Sequence, residues 1–191
     1  MPKDMNIIGL NVGHDGGCAL LVNGAFKVAI SEERVNRQKY SAGWVASLLY
    51  CLNAANVAIG DVDLFVFSSC GPYLPVDYHG GLKAFGVPQE KIISVDHHLS
   101  HAITAFSFSG FQKALVVSID GEGNDYQTES FYVGENNNLE KMGGNDLDRN
   151  RAKGLGRTYE AFTNYIGFDD QECGKTMGLA AYGDASRFRH I

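Results

Sequence analysis

The chain has 191 residues, of which 45% are hydrophobic and 20% are charged, and its formal net charge at pH 7 is -6. These proportions are typical of a globular protein and exclude a disordered chain. The acidic balance argues against nonspecific nucleic-acid binding, which needs a basic surface. The amino terminus lacks the apolar segment of a secretory signal, no apolar run approaches the roughly 20 residues of a membrane span, and the four cysteines form no CxxC pair. We therefore expect a cytoplasmic protein that binds neither nucleic acid nor membrane.

The first half of the sequence predicts a three-stranded antiparallel meander followed by alternating helices and strands. The strands of the meander are apolar runs at 6–12, 18–22 and 26–30, and Asn23-Gly24 is a dipeptide typical of a tight hairpin. Apolar residues at helical spacing then predict a helix at 42–57. The elements that follow are a buried strand at 62–69, a short helix at 78–85, a strand at 91–95 and a helix at 97–108.

The same pattern begins again after residue 110. A strand at 114–119 ends in Asp120-Gly121-Glu122-Gly123, and further strands at 129–133 and 139–142 flank a polar turn at 135–138 before a helix at 155–166. We expect one complete lobe at 1–110, a β-meander plus βαβα, and the incomplete beginning of a second at 111–191. This is the α/β plan of the actin-like, ribonuclease-H-related ATPases, in which two lobes face each other across a nucleotide.

The first turn with chemical potential is Gly13-His14-Asp15-Gly16-Gly17. Glycines such as Gly13 and Gly16 let backbone amides approach a phosphate, so both are candidates for cofactor binding. Asp15 can hold a metal or water nearby, and His14 can carry a proton because its ordinary pKa lies near 6.5. A plain hairpin with convenient glycines explains the turn equally well.

The second turn, Asp120-Gly121-Glu122-Gly123, occupies the equivalent position of the second unit. Two matching turns can contact one phosphate chain from opposite sides, which makes Asp120, Gly121 and Gly123 candidates for cofactor binding. The alternative is an exposed acidic hairpin.

Three of the six histidines lie within Asp96-His97-His98-Leu99-Ser100-His101. Residues i and i+4 share one face of a helix, so His97 and His101 can ligate one metal ion, whereas His98 points elsewhere but can pair with His101 at i+3. The alternative is a polar helix N-terminus. Two ligands do not complete a site, and imidazole suits iron, zinc and nickel alike, so a carboxylate or water must come from elsewhere.

Two basic segments are candidates for binding an anion. Arg34, Arg37 and Lys39 follow the third strand and can bind an anionic donor, although a solvated charged loop is the alternative. Gly174-Lys175-Thr176 resembles the end of a P-loop, but Asp169 stands where a P-loop has glycine, so we reject that motif. Lys175 still suits a phosphate contact from the start of a helix.

Together these residues resemble a known family. The segments GLNVGHDGGCALLVNG, SEERVNRQK, VDHHLSHAITAF, GLGRTYEAFT and GKTMGLAAYG look like the carbamoyltransferases of the NodU/CmcH family. The resemblance spans nearly the whole chain. More distantly, the lobe resembles the catalytic subunit of the tRNA threonylcarbamoyladenosine machinery, which shares a histidine-pair metal site.

The resemblance implies a two-step reaction. A carboxy-terminal YrdC-like domain makes carbamoyl-adenylate from carbamoyl phosphate and ATP, and the actin-like domain passes the carbamoyl group to a hydroxyl of a small-molecule or sugar acceptor. An Fe(II) ion, or another divalent metal such as zinc, is bound near the nucleotide.

Family motifs transfer to this sequence residue by residue. His97 and His101 match the metal-binding histidines, and Asp120, Gly121 and Gly123 match the second phosphate turn. The remaining matches are His14, Asp15 and Lys39, as candidates for substrate activation and charge stabilisation, and Lys175 and Gly178 in the GKxMGLAxYG motif.

The chain also departs from the family. Members are much longer, and the third metal ligand (an aspartate), the adenine-binding glycines and the YrdC-like domain are expected beyond this sequence. We therefore expect a carboxy-terminal domain or subunit as partner, with homo-oligomerisation also open. The alternative functions are a non-catalytic nucleotide- or metal-binding lobe of a split enzyme, and a small-molecule kinase on the actin-like fold.

Overall fold

The computed structural model describes residues 5–71, 79–146 and 154–188, whose strands form two sheets. In the first sheet, β1 (Asn6–Asn11), β2 (Gly17–Val22) and β3 (Ala25–Ser31) form an antiparallel meander. Strands β4 (Leu64–Ser68) and β5 (Ile92–Ser94) run parallel to β1, which gives the order β3-β2-β1-β4-β5. The predicted meander and the βαβ continuation are both confirmed.

The strands form because apolar side chains alternate along them. Ile8 and Leu10 of β1 and Phe65 and Phe67 of β4 are buried, with less buried residues between them, which is the period-2 pattern of a sheet with a covered face. The hairpin between β2 and β3 turns through Asn23-Gly24, both at positive φ (53° and 77°), a conformation that asparagine and glycine adopt at low cost.

Among the described residues, three helices accompany the first sheet, α1 (Glu32–Asn36), α2 (Val45–Ala55) and α3 (His79–Ala84), and α4 (His97–Ser109) follows β5. Helix α2 covers the sheet with Leu48 and Leu52, as its spacing predicts. The short helix expected at 78–85 is observed as α3, and Tyr78 lies outside the described residues. None of the helices among the described residues is long and apolar enough to cross a membrane.

The three basic residues of the charged segment after β3 are exposed, as the alternative of a solvated loop expects, but the glutamate at its start is buried. Glu32 is 6% exposed, and its carboxylate accepts hydrogen bonds from the backbone amides of Ala46 (3.1 Å) and Ser47 (2.8 Å). Trp44, the N-cap residue of α2, has no side-chain acceptor for these amides. Glu32 therefore caps α2 from 14 and 15 residues away, and a carboxylate is favourable there because a helix N-terminus carries partial positive charge.

The second sheet contains β6 (Lys113–Ile119), β7 (Gln127–Glu135) and β8 (Asn138–Asp146), all antiparallel and in sequence order. Asn136 and Asn137, at φ 50° and 65°, form the predicted turn. Strand β8 is longer than the predicted 139–142. Helices α5 (Leu155–Tyr165) and α6 (Cys173–Ala180) follow. The actin-like fold class, with one full lobe and the start of a second, is confirmed.

Helix α4 connects the two sheets. It follows β5 in the chain, but its Ala102 and Phe106 pack with Val116 and Tyr132 of the second sheet. The division into lobes at residue 110 stays a prediction, because α4 contributes to the second core although it lies within 1–110.

Two adjacent leucines of α2 test the importance of the first core. Leu48 is 0% exposed and Leu49 is 51% exposed, in the same helix. We expect Leu48→Ala to reduce the free energy of unfolding by about 2–5 kcal/mol, because it removes buried apolar contacts and leaves a cavity. Leu49→Ala changes little on this helix, within about 0.5 kcal/mol. Urea unfolding followed by circular dichroism measures both, and equal losses would contradict the assigned helix orientation.

Candidate functional site

The histidine pair lies on the first turns of α4, whose start is fixed by two side chains. The Asp96 carboxylate accepts a hydrogen bond from the Leu99 amide (2.9 Å), as expected of an N-cap aspartate. The amide of His97 donates to the side-chain oxygen of Asn124 (2.8 Å), which follows the second Gly/Asp turn. The helix start is therefore held next to the end of β6.

One carboxylate meets both predicted metal ligands. The Nε2 atoms of His97 and His101 are 3.1 Å apart, and Asp120 Oδ2 lies 2.8 Å from the first and 3.4 Å from the second. The predicted i, i+4 pairing of the histidines is thus observed. Asp120 is predicted from the sequence as part of a phosphate turn, and the aspartate ligand is expected beyond the chain. In the structure the Asp120 carboxylate joins the histidine pair.

Hydrogen atoms alone leave at least one of the three contacts in this triangle without a donor–acceptor pair. If both Nε2 atoms carry hydrogen and donate to Asp120, two donors face each other across the 3.1 Å between the histidines. If one Nε2 carries a lone pair instead, it faces a carboxylate oxygen that can only accept. A cation at the centre would satisfy all three atoms. Ligand atoms at about 2.0–2.2 Å from a tetrahedral ion are roughly 3.4 Å from one another, which is close to the separations in this triangle. The two nitrogens and one oxygen therefore fit a divalent metal such as iron or zinc.

The pKa values of the cluster follow from these contacts. Burial raises the pKa of the Asp120 carboxyl, but hydrogen bonds from His101, His97 and the Gly121 amide outweigh it and hold the pKa far below its usual range. The hydrogen bond to Asp120 raises the pKa of His101. Burial lowers the pKa of the neighbouring His98, which therefore stays neutral.

The triad lies in a cleft of about 1010 Å³, large enough for a nucleotide-sized ligand. Both predicted turns contribute to its lining, since His14 and Asp15 come from the first turn and Asp120 and Gly121 from the second. The expectation that the two turns face one space is met, because β1 and β6 each end at this cleft.

The first turn pairs an imidazole with a carboxylate. His14 Nδ1 lies 2.9 Å from Asp15 Oδ2, and the side-chain amide of Asn11 donates to the carbonyl of Asp15 (3.0 Å). Since the carboxylate can only accept, His14 donates from Nδ1, and in the neutral form of the ring the lone pair is on Nε2. Asp15 adopts φ 54°, a left-handed conformation that aspartate tolerates.

Helix α5 forms another wall of the cleft and brings an arginine that the sequence analysis did not single out. Arg157 donates to Glu160 (2.7 and 3.0 Å) and to Glu122 (2.5 Å), and all three residues line the cleft. The buried carboxylate of Glu129 accepts from the Leu155 amide (2.7 Å) and so caps α5. Arg157 stands in the GLGRTYEAFT segment, which was noted only for its resemblance.

Several predicted ligand residues lie outside the cleft lining. Lys39 stands 4.4 Å from the ring centre of Tyr40, a residue that does line the cleft, and Lys175 pairs with Glu172. Gly178 has open space around it. The roles of Lys39, Lys175 and Gly178 stay predictions.

Three of the predicted glycines lie close to other protein atoms. A side chain at Gly16 would overlap the backbone of Gly43, one at Gly123 would meet the ring of His98, and one at Gly13 would be tight against Ser69. Contact with phosphate stays a prediction for Gly13, Gly16 and Gly123, and close approach of protein atoms already accounts for glycine at the last two.

Comparison with known proteins identifies the family of this chain. The family model described as Carbamoyltransferase N-terminus matches residues 76–189, which include the whole triad and α5. The chain belongs to this family. Its relatives include the nodulation protein NolNO of Sinorhizobium fredii, which is 32% identical over 93% of this chain and 29% of the relative. The nodulation protein NolO of Bradyrhizobium diazoefficiens is 35% identical over 51% of this chain and 17% of that protein.

The chain spans about a third or less of the length of the curated relatives it matches. Among solved structures, an uncharacterised protein described as similar to the peptidase YeaZ from Pseudomonas aeruginosa superimposes with a TM-score of 0.50. It is 19% identical, and the match covers 79% of this chain and 70% of that one. At this identity the likeness shows the fold alone.

Metal content tests the triad directly. We expect tag-free protein purified without oxygen to retain near-stoichiometric iron or zinc, and the His97→Ala/His101→Ala double variant and Asp120→Asn to lose it, because each removes a ligand. Asp125→Asn is the matched control, since Asp125 is exposed and its φ of 52° suits asparagine. Elemental mass spectrometry measures all four, and full metal in the double variant would exclude the triad as the site.

The same carboxylate sets the charge of His101 in metal-free protein. We expect Asp120→Asn to lower the pKa of His101 to its ordinary value or below, because the hydrogen bond that raises it is lost while burial still disfavours the charged ring. Histidine ring signals followed by NMR against pH, with chelator present, measure the change. We expect the control Asp125→Asn to keep the raised pKa of His101. An unchanged pKa of His101 in Asp120→Asn would show that His101 and Asp120 do not interact.

Proposed function

We propose that this chain is the amino-terminal part of a cytoplasmic O-carbamoyltransferase. The observation that carries the proposal is the convergence of His97, His101 and Asp120 in a cleft that the two Gly/Asp turns share. Membership of the carbamoyltransferase family supports the reaction class. We further propose carbamoyl-adenylate, made from carbamoyl phosphate and ATP by a YrdC-like partner domain, as the donor, and a small-molecule or sugar hydroxyl as the acceptor.

The triad is the proposed holder of a divalent metal, with Fe(II) first and zinc as the other candidate. Bound there, the metal would supply positive charge that stabilises the phosphate of the adenylate. His97 is the less exposed imidazole, with a side chain 15% exposed against 57% for His101. The site is therefore open to the cleft on the His101 side, where a ligand can enter.

His14 is the proposed general base. Its Nδ1–H is held by Asp15, so Nε2 accepts the proton of the acceptor hydroxyl as the hydroxyl oxygen attacks the carbamoyl carbon. A C–O bond forms to that carbon, the bond from the carbon to the phosphate oxygen breaks, and AMP leaves with the electron pair. The protonated His14 returns its proton to solvent. Lys39 is the proposed source of further charge stabilisation, beside Tyr40 of the cleft lining.

The second wall of the cleft suits binding and orientation. Arg157 is held on both sides by Glu122 and Glu160, which fixes the direction of its guanidinium. A guanidinium with unused N–H donors can contact a phosphate or a carbonyl oxygen in the cleft. This wall is thus the proposed contact for the donor.

A transfer assay tests the proposal. This chain, together with its carboxy-terminal continuation as one or two polypeptides, is incubated with ATP, Fe(II), carbon-labelled carbamoyl phosphate and a panel of hydroxyl-bearing acceptors. We expect label to reach an acceptor, His97→Ala to abolish the transfer, and His14→Ala to reduce kcat about 10²- to 10⁴-fold, the usual contribution of a general base.

Asp125→Asn is the control here as well, because it changes one carboxylate near the site without touching the cleft lining. Transfer of the γ-phosphate of ATP to an acceptor without carbamoyl phosphate would overturn the proposal in favour of a kinase. Full activity of His97→Ala would overturn the role of the metal site.

A further inference from the structure

His98 lies beside the metal triad but outside the cleft lining, and it is completely buried. Its exposed fraction is 0%, and its Nδ1 atom lies 2.9 Å from the hydroxyl of Ser130 on β7. Its Nε2 atom has no hydrogen-bond partner among the residues that the structure describes. A buried polar atom without a partner is costly, so its surroundings call for a physical reason.

Neighbouring hydrogen bonds fix which nitrogen of His98 carries the proton. The Asp96 carboxylate can only accept, so the Gln127 side chain turns its NH₂ group toward it (3.2 Å) and its oxygen toward Ser130. The Ser130 hydroxyl donates to that oxygen (3.2 Å) and therefore accepts from His98 Nδ1. The ring is thus a neutral Nδ1–H tautomer whose orientation is set through Ser130, with the lone pair on Nε2.

The Nε2 edge of this ring faces Gly123. An alanine Cβ at that position would stand 2.6 Å from His98 Cδ2 and 2.8 Å from Nε2, closer than real contacts allow. The backbone of Gly123 is extended, at φ -100° and ψ -162°, so any residue can adopt it. Glycine is therefore required at 123 because the imidazole edge occupies the space of a side chain.

Contacts on both sides of Asp120 bind the same segment to α4. Before it, the Ser118 hydroxyl donates to the carbonyl of His98 (2.9 Å). After Asp120 in the chain, Gly123 contacts the His98 ring, and Asn124 accepts a hydrogen bond from the His97 amide. The position of the Asp120 carboxylate relative to α4 thus depends on how closely residues 118–124 approach the ring.

We propose that His98 is a positioning residue of the metal site: its imidazole sets the distance between α4 and the 120–123 turn, and so holds the Asp120 carboxylate against His97 and His101. This rests on the metal role proposed above for those three residues. His98 itself binds no metal in this scheme. It acts through the shape and fixed orientation of its ring.

The test is a double-mutant cycle read by metal affinity. His98→Asn keeps a donor near the Nδ1 position for Ser130 but removes the ring edge, and Gly123→Ala pushes a methyl group against that edge. In the full chain, we expect each single change to weaken Zn(II) binding about 10- to 100-fold, the usual cost of disturbing a supporting residue. In the double variant the methyl group has room, so Gly123→Ala costs much less than it does in the wild type.

Gly143→Ala is the matched control, because it also adds a methyl group in place of a glycine hydrogen. Gly143 lies in β8 of the second sheet, and no other atom is within 4 Å of the position that its Cβ would take. The visible spectrum of Co(II)-loaded protein is the second measurement. Its intensity and band positions report ligand geometry, so a change in both single variants is expected, whereas loss of stability alone leaves the spectrum of folded, loaded protein unchanged.

The outcomes separate this proposal from the proposed function. If wild type binds no Zn(II) or Co(II), the metal site fails and His98 has nothing to position, so both are overturned. If wild type binds metal but the single variants match it, or Gly123→Ala costs the same with and without the His98 ring, only the positioning role is overturned.

Discussion

The arrangement of the site depends on the buried polar contacts that fix α4 between the two sheets. Ser100 of this helix pairs with Ser68 at the end of β4 (3.0 Å), whereas His98 is bound to Ser118 and Ser130 of the second sheet. Polar groups buried in this way are costly to leave unpaired, so α4 cannot slide along either sheet without losing several partners at once. Because α4 carries the two histidines of the triad and the turn directly after β6 carries Asp120, this constraint determines whether the three side chains meet.

A second kind of constraint acts on two helices, α2 beside the first sheet and α5, which forms a wall of the cleft. Trp44 and Gly154, the N-cap residues of α2 and α5, offer no side-chain hydrogen bond to their helices, and a buried glutamate replaces them in each case. Glu32 caps α2, and Glu129 caps α5 while also accepting from Thr128 and Asn145. Glutamates from sheet-proximal segments thus anchor both helices at their amino-terminal ends, and α5 is thereby held where its Arg157 reaches the cleft.

Local patterns were sufficient for much of this structure, and long-range pairings were not. Alternation predicted the strands, Asn23-Gly24 predicted a hairpin, and the i, i+4 rule predicted that His97 and His101 meet, since each depends on residues close in sequence. The contact between Asp120 and His97 joins residues 23 positions apart in the sequence. A turn motif alone does not show which helix lies beside the turn, so this contact was not predicted. The burial of Glu32 was missed for the same reason, because its partners are the amides of a helix 14 and 15 residues away and a charged segment normally indicates solvent.

The charges of the cleft connect the metal to the donor. Among the described residues that line it, Asp15, Asp120, Glu122, Glu160 and Asp170 are acidic, whereas Arg157 is the one lysine or arginine and is already paired with two of the carboxylates. The phosphate of an adenylate would meet net negative charge in a partly enclosed space, where screening by water is weak. Neither Lys39 nor Lys175 belongs to this lining, so they offset the field only from a distance. A divalent cation held by the triad would neutralise the charge of Asp120 and would add positive charge where the two turns meet. Under the proposed function, metal binding and donor binding are therefore linked, and because linkage is reciprocal, each strengthens the other.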